Sequence, residues 1–240
     1  MVDIFFVLVT IEQAFYMWRW RMDFRAEHLK NPSVILEDLR ASRTALELFL
    51  KVGKAREVSL RDLQIEPEAL LEINGSTLSH AKICELILAA RQGREHAYAP
   101  YSHFNVGAAI WAENRDRDIH VVTGCNVENA AYGSTICAER TAAFKAVSEG
   151  YRRFYAYAVV GGFDDSVPRE LREEAAKAYV TPCGSCRQVT NEFDANPCMV
   201  IVAADTDIIL ILTMEFILPV GFGPRNLGID ASSYDRHNIH

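Results

Sequence analysis

The amino-acid sequence predicts an α/β fold in which helices pack on both faces of a mixed sheet. Three observations carry that expectation. From Ser76 onward, stretches with helical spacing alternate with short runs rich in β-branched and aromatic residues, in the order helix, two strands, helix, strand, helix, strand. The helical stretches carry capping residues and terminal glycines at their ends. A chain of 240 residues, 50% hydrophobic and 24% charged, is long enough to bury about 70% of its unfolded surface in such a core.

The first helix of this domain is capped near Ser76 or Thr77 and runs through "LSHAKICELILAARQG" to Gly93. Two strands follow, "FNVGAAIWA" at 104–112 and "IHVVTG" at 119–124, joined by the polar "ENRDRD" as a hairpin connection. In "CAERTAAFKAVSEG" Ala, Phe and Val recur at helical spacing and Gly150 supplies the stop. The runs "FYAYAVVG" at 154–161 and "CMVIVAA" at 198–204 are dense in strand-forming residues. Between them, residues 164–180 are acidic and amphipathic and read as a surface excursion. There are no internal repeats or low-complexity tracts.

Residues 1–75 read as a helical, charged N-terminal extension without a chemical motif. Within it, residues 31–55 offer Ser33 as an N-cap, apolar positions at Ile35, Leu36, Leu39, Leu46 and Phe49, and Gly53 near the stop. The apolar run Ile4–Ile11 is framed by Asp3 and Glu12 and has no basic segment before it, which reads as a buried strand or helix turn rather than a targeting signal. Eight residues are too few to span a bilayer. Residues 229–240 read as a C-terminal tail.

A formal net charge of −7 and a pI near 5.5 argue against a protein that tracks phosphate backbones and favour a small substrate. The six cysteines, at 84, 125, 137, 183, 186 and 198, are too irregularly spaced for a secreted disulfide framework, so a reducing, cytoplasmic location is expected.

Cys183 and Cys186, at i and i+3 across a turn, point both sulfurs at one ion, but such a pair is half of a zinc site. No second C-x-x-C exists, and the histidines at 28, 80, 96, 103, 120, 237 and 240 show no H-x-x-x-H spacing. A three-ligand site with an open position remains. Cys137 is the best third ligand, because it begins a predicted helix where backbone N–H groups and the helix dipole stabilise a thiolate. Three thiolates around Zn²⁺ leave a net charge of about −1, which Arg140, one turn beyond Cys137, could offset. Glu139, two residues from a ligand, can reach a water at the metal without binding the metal, where a proton shuttle must stand. Cys84, Cys125 and Cys198 read as small buried hydrophobes.

Four separated stretches, "YAPYSHFNVGAAI", "GCNVENAAYGSTICAERTAAFKAVSEG", "TPCGSCRQVTNEF" and "LPVGFGP", together resemble the single-domain, three-cysteine cytidine deaminases. The resemblance spans residues 76–228, which it marks as the catalytic domain. It implies a three-layer α-β-α sandwich with a mixed five-stranded sheet, one Zn²⁺ per subunit on Cys137, Cys183 and Cys186, and Glu139 as the group that moves protons to N3 and the departing ammonia. Cytidine and 2'-deoxycytidine would be hydrolysed to uridine and 2'-deoxyuridine in pyrimidine salvage. The resemblance further implies that Asn126 and Glu128 hold the ribose hydroxyls, with the Ala130 carbonyl and Tyr132 near the sugar's other end. Phe104, and Phe222 of a neighbouring subunit in a homotetramer, would pack on the base, and the Ala138 N–H would bind its carbonyl.

Taken alone, Asn126 and Glu128 are also what a turn after a strand uses, and Phe222 could be a core aromatic. The 75 residues before the domain, the length of the 164–180 segment and the apolar "DIILILTMEFILP" have no counterpart in the small deaminases. Other readings are a deaminase of a blasticidin-like nucleoside antibiotic, a deaminase that edits or binds nucleic acid, and a non-catalytic interaction protein. The acidic balance opposes the nucleic-acid reading, and the intact site opposes the non-catalytic one.

Overall fold

The computed structural model describes residues 53–177, 179–203 and 207–229, together with Leu36, Leu50 and Lys51. The described elements, in chain order, begin with β1 (Arg56–Ser59), α1 (Leu60–Ile65), β2 (Leu70–Ile73), β3 (Ser76–Ser79) and α2 (His80–Arg94). They continue with β4 (Phe104–Glu113), β5 (Ile119–Cys125), α3 (Ala138–Ser148), β6 (Arg153–Phe163) and α4 (Arg169–Ala175). The last are α5 (Gly184–Asn191), β7 (Asp194–Ala203), β8 (Ile208–Thr213) and α6 (Met214–Ile217).

Six strands form one mixed sheet in the order β1-β8-β7-β6-β4-β5. β6 and β7 are parallel, with α4 and α5 in the crossover that parallel pairing needs, and the other pairs are antiparallel. The inner strands are largely buried on both faces, and their side chains alternate between two cores. Tyr157 and Val159 of β6, Val200 and Val202 of β7, and Leu210 and Leu212 of β8 meet the alanine-rich face of α3 together with Met214 and Ile217 of α6. Ala156, Ala158 and Val160, with Ile201, Ile209 and Ile211, face Ile83, Leu86 and Ile87 of α2 on the other side. The three-layer arrangement is therefore as expected.

The sheet has one strand more than the expected five, because residues 56–59 pair with β8 along its outer edge. β8 itself comes from the apolar "IILILT", whose composition is explained by burial on both faces. The residues before α2 also depart from expectation. The helix starts at His80 behind Ser79, whose side chain accepts from Lys82 N, and residues 70–79 form a hairpin instead. Asn74 and Gly75 both take positive φ, 49° and 83°, which is the two-residue turn that matches strand twist. The hairpin and α1 place Leu63, Leu71, Ile73 and Leu78 in the α2-side core, so residues 53–75 are not uniformly helical and pack with the sheet. Ser33, Ile35, the run Ile4–Ile11 and the tail from residue 230 lie outside the described residues.

The 164–180 segment is more than a surface excursion. It contains α4, and its Val167 and Ala175 are buried with Phe104, Phe163 and Leu36 in a third, small cluster. Cys84 and Cys125 are half-buried rather than buried. Among the described residues no helix is long and apolar enough to cross a membrane.

One close approach decides where α3 sits. A Cβ at Gly124 of β5 would lie 2.4 Å from Ala142 N and 2.7 Å from Ala138 O, so the helix backbone rests directly on the strand. The depth of the α3 N-terminus, and of Cys137 and Glu139 with it, follows from that missing methyl.

Candidate active site

Two helices begin at the same place. Cys137 is the N-cap residue of α3 and Cys183 that of α5, and both have extended backbone there. The Cys137 and Cys183 sulfurs are 3.9 Å apart, Cys183 and Cys186 are 3.4 Å apart, and all three lie within 4.8 Å of one another. Cys186 is fully buried in the first turn of α5, and Thr190 Oγ1 donates to its carbonyl at 2.8 Å.

The electrostatics of the three sulfurs fit a cation. The hydrogen bond with Cys183 pushes the Cys137 thiol up to about 12, with burial and the Glu139 carboxylate adding to the rise. Cys186 is pushed strongly upward by hydrogen bonds with Cys137 and Cys183, then by burial and Glu139. Without a positive ion these thiols hold their protons; a soft divalent ion replaces the protons and reverses that preference. Three sulfur donors suit Zn²⁺, and among the described residues no further His, Cys, Asp or Glu joins the group. A fourth tetrahedral position is left for water or substrate.

Positive charge is supplied by the chain itself. Arg140 Nη2 donates to Thr135 O at 3.1 Å and lies 3.6 Å from Cys137 Sγ. Arg187 was not singled out in the sequence, yet its Nε donates to Pro182 O at 2.8 Å and its Nη1 to Ile217 O at 2.8 Å, bracing the Pro-Cys turn against α6. Its adjacency to Cys186 is the only signal the sequence carries for that role. Glu139, 5% exposed in the first turn of α3, adds through its charge to the rise of both thiols.

The other expected residues occupy the neighbouring loops. Residues 126–128 are stitched between two segments: Val127 N donates to Ile136 O at 2.9 Å and Ile136 N to Val127 O at 3.0 Å, while Glu128 N donates to Tyr98 O at 2.8 Å. Asn126 is buried, with Oδ1 accepting from Val106 N at 2.8 Å and Nδ2 donating to Phe104 O at 2.9 Å. Glu128 is buried too, and its Oε2 accepts from Tyr101 N at 3.0 Å and Ser102 N at 3.2 Å. These side chains therefore brace the strand-to-loop junction, and each retains hydrogen-bonding capacity for a further partner.

Phe104 lies edge-on to Phe163, ring centres 5.0 Å apart, and is 9% exposed. Tyr132 meets Tyr101 edge-on at 5.9 Å, Ala130 is exposed, and Ala138 is the first residue of α3. Phe222 stands apart from the sulfur cluster's own helix start: its ring is 60% exposed and its carbonyl is bound to the later part of α5. Sequence reasoning also passed over Ser102, buried, whose Oγ accepts from Phe104 N at 3.0 Å.

Residues 80–202 match the family described as the cytidine and deoxycytidylate deaminase zinc-binding region. The chain is 50% identical over 109 residues to a cytidine deaminase of Sporosarcina psychrophila, an alignment spanning 45% of this chain and 68% of that one. It is 50% identical over 107 residues to a cytidine deaminase of Halalkalibacterium halodurans, again 45% and 68%. A crystal structure of cytidine deaminase from Burkholderia pseudomallei aligns at 41% identity and a TM-score of 0.48, covering 57% of this chain and 97% of that one.

Proposed function

The chain belongs to the cytidine and deoxycytidylate deaminase zinc-binding family, and from that premise we propose how its own residues carry out the deamination of cytidine. It is an enzyme that deaminates cytidine, as the curated relatives at 50% identity do. The observation that carries the reading is the meeting of three cysteines at two helix starts with a buried glutamate two residues from one of them. Cys137, Cys183 and Cys186 would hold one Zn²⁺ per subunit, which when bound supplies a Lewis acid that makes water nucleophilic near neutral pH.

Glu139 then has the proton work. Its carboxylate takes a proton from the water that adds at C4 and delivers it to N3; the second water proton goes by the same oxygen to the leaving amine, so cytidine and water become uridine and ammonia. Arg140 and the two helix N-termini would moderate the charge of three thiolates, which would otherwise weaken a Lewis acid held there. The Ala138 N–H, at the open start of α3, binds the base carbonyl.

On the sugar side, one Glu128 oxygen is occupied by the Tyr101 and Ser102 N–H groups, and its other oxygen, with the Asn126 amide, receives the ribose hydroxyls. The Ala130 carbonyl and Tyr132 lie toward the far end of the sugar, and Phe104 with a neighbouring subunit's Phe222 packs on the base. Turnover of 2'-deoxycytidine, a place in pyrimidine salvage, a cytoplasmic location and a homotetramer belong to the same proposal. So does the division into an extension over 1–75, a catalytic domain over 76–228 and a tail over 229–240, with residues 55–79 packed into the sheet's cores.

A cytidine deamination assay with and without a zinc chelator tests metal, chemistry and substrate together. The proposal requires uridine formation that the chelator abolishes and added Zn²⁺ restores. Undiminished turnover in a chain stripped of metal would end it.

A further inference from the structure

One helix holds the C-terminal loop. Arg187 Nη1 reaches Ile217 O at 2.8 Å, Gln188 Nε2 reaches Phe222 O at 2.7 Å, and Asn191 Nδ2 reaches the same oxygen at 3.2 Å. All three donors stand on α5, whose start carries Cys183 and Cys186. Gly223 lies so close to this face that a Cβ there would come within 2.8 Å of Asn191 Nδ2, and Asn226 Oδ1 accepts from Gly223 N at 2.8 Å.

Between the anchored carbonyls the backbone is strained. Val220 has a φ of 56°, in the left-handed region that β-branched residues avoid, and its side chain is fully exposed, so its own packing does nothing to hold that conformation. Strain of this kind persists only where the surroundings over-determine it, and it concentrates at working positions. Here the surroundings are the donors of α5, and the residue they fix is Phe222: two N–H groups on its carbonyl, its ring left 60% exposed.

We propose that Gln188 and Asn191 are positioning residues for the deamination. They lock the Phe222 backbone to the helix that presents two of the three thiols, so that the ring projects at a set angle into the nucleoside site of a second copy of the chain. This rests on the assignment of Phe222 as a ring that contacts the base. Fixing the ring before the substrate arrives lowers the ordering that binding would otherwise require, so the two amides act on affinity and not on the chemical step.

Steady-state kinetics with cytidine on the full-length chain test this, using Gln188→Met and Asn191→Leu, which keep bulk and remove the donors. The double variant is expected to raise KM about three- to tenfold, as loss of such hydrogen bonds does, with kcat and zinc per chain unchanged. In a Phe222→Ala background the same pair should add less than about twofold, because the ring whose placement is lost is already absent. An unchanged KM in the double variant, beside a raised KM in Phe222→Ala, overturns the positioning role alone, as does a full effect in the Phe222→Ala background. An unchanged KM in Phe222→Ala overturns the substrate assignment beneath it. Gln188 is exposed, so Gln188→Met alone keeps the test usable if the double variant does not fold.

Discussion

Cys137, Cys183 and Cys186 gather where two helices begin, inside one chain, whereas the residues proposed to hold the nucleoside are spread over loops and end at a ring, Phe222, that is 60% exposed. The first region is built from short-range rules: an N-cap, a turn, a Pro before a cysteine. The second depends on long-range stitching, such as Asn126 to β4 and Glu128 to the Tyr101–Ser102 backbone. On the proposed assignment the chemistry is local while recognition is distributed, and substitutions should separate the two.

The largest expected effect comes from breaking the sulfur cluster. Cys183→Ser should leave the purified chain with little zinc by metal analysis and cut turnover by more than about a hundredfold, since the Lewis acid is lost with its ligand. Next is Gly124→Ala, which drives a methyl to within 2.4 Å of the α3 backbone. Overpacking of this kind costs about 1–3 kcal/mol, so thermal unfolding should show a lower Tm, and turnover should fall with it because α3 carries Cys137 and Glu139.

On the recognition side the effects are smaller and of another kind. Asn126→Ala removes the side-chain partners of Val106 N and Phe104 O inside the fold, and should destabilise by about 1–3 kcal/mol in denaturant unfolding while raising KM more than it lowers kcat. If kcat fell and KM did not move, Asn126 would belong with the chemistry and the comparison would fail.

The smallest effect is expected at Asp164, beside His103 and Ser166. Burial opposes ionisation of Asp164, but hydrogen bonds from Ser166 and His103 outweigh it and hold the carboxyl below its ordinary value of 3.8. A depressed folded-state pKa contributes stability that is present above the unfolded value and lost as pH falls through the folded one. The Tm advantage of the natural chain over Asp164→Asn should therefore shrink as pH drops from about 5 toward 2. A difference that stays constant over that range would contradict the assignment.

How much could be read in advance follows the same division. The strands 104–112, 119–124 and 154–161 and the helix after Cys137 emerge within a residue or two of their expected ends, because periodicity and caps are local. The thiols were legible for the same reason. The four residues of β1 carry no pattern of their own and become a strand only by pairing with β8. In residues 70–79 the Asn-Gly turn signal was present, but the helical spacing that follows it absorbed Ser76 and Thr77. Val167 and Ala175 looked like parts of a solvated helix because their partners, Phe104 and Phe163, lie some sixty residues earlier and at the end of β6. Arg187 and Asn191 act on carbonyls about thirty positions away, which no local pattern announces.

The central claim is that Glu139 moves the protons while the three cysteines hold the metal, and Glu139→Gln tests it most directly. Zinc content and cytidine turnover should be measured on the same preparation. The expected result is the same zinc content per chain as a natural-sequence preparation measured beside it, with turnover lower by at least about 10²–10⁴-fold. Full turnover in that variant, or loss of zinc in step with activity, would contradict the separation of proton transfer from metal binding.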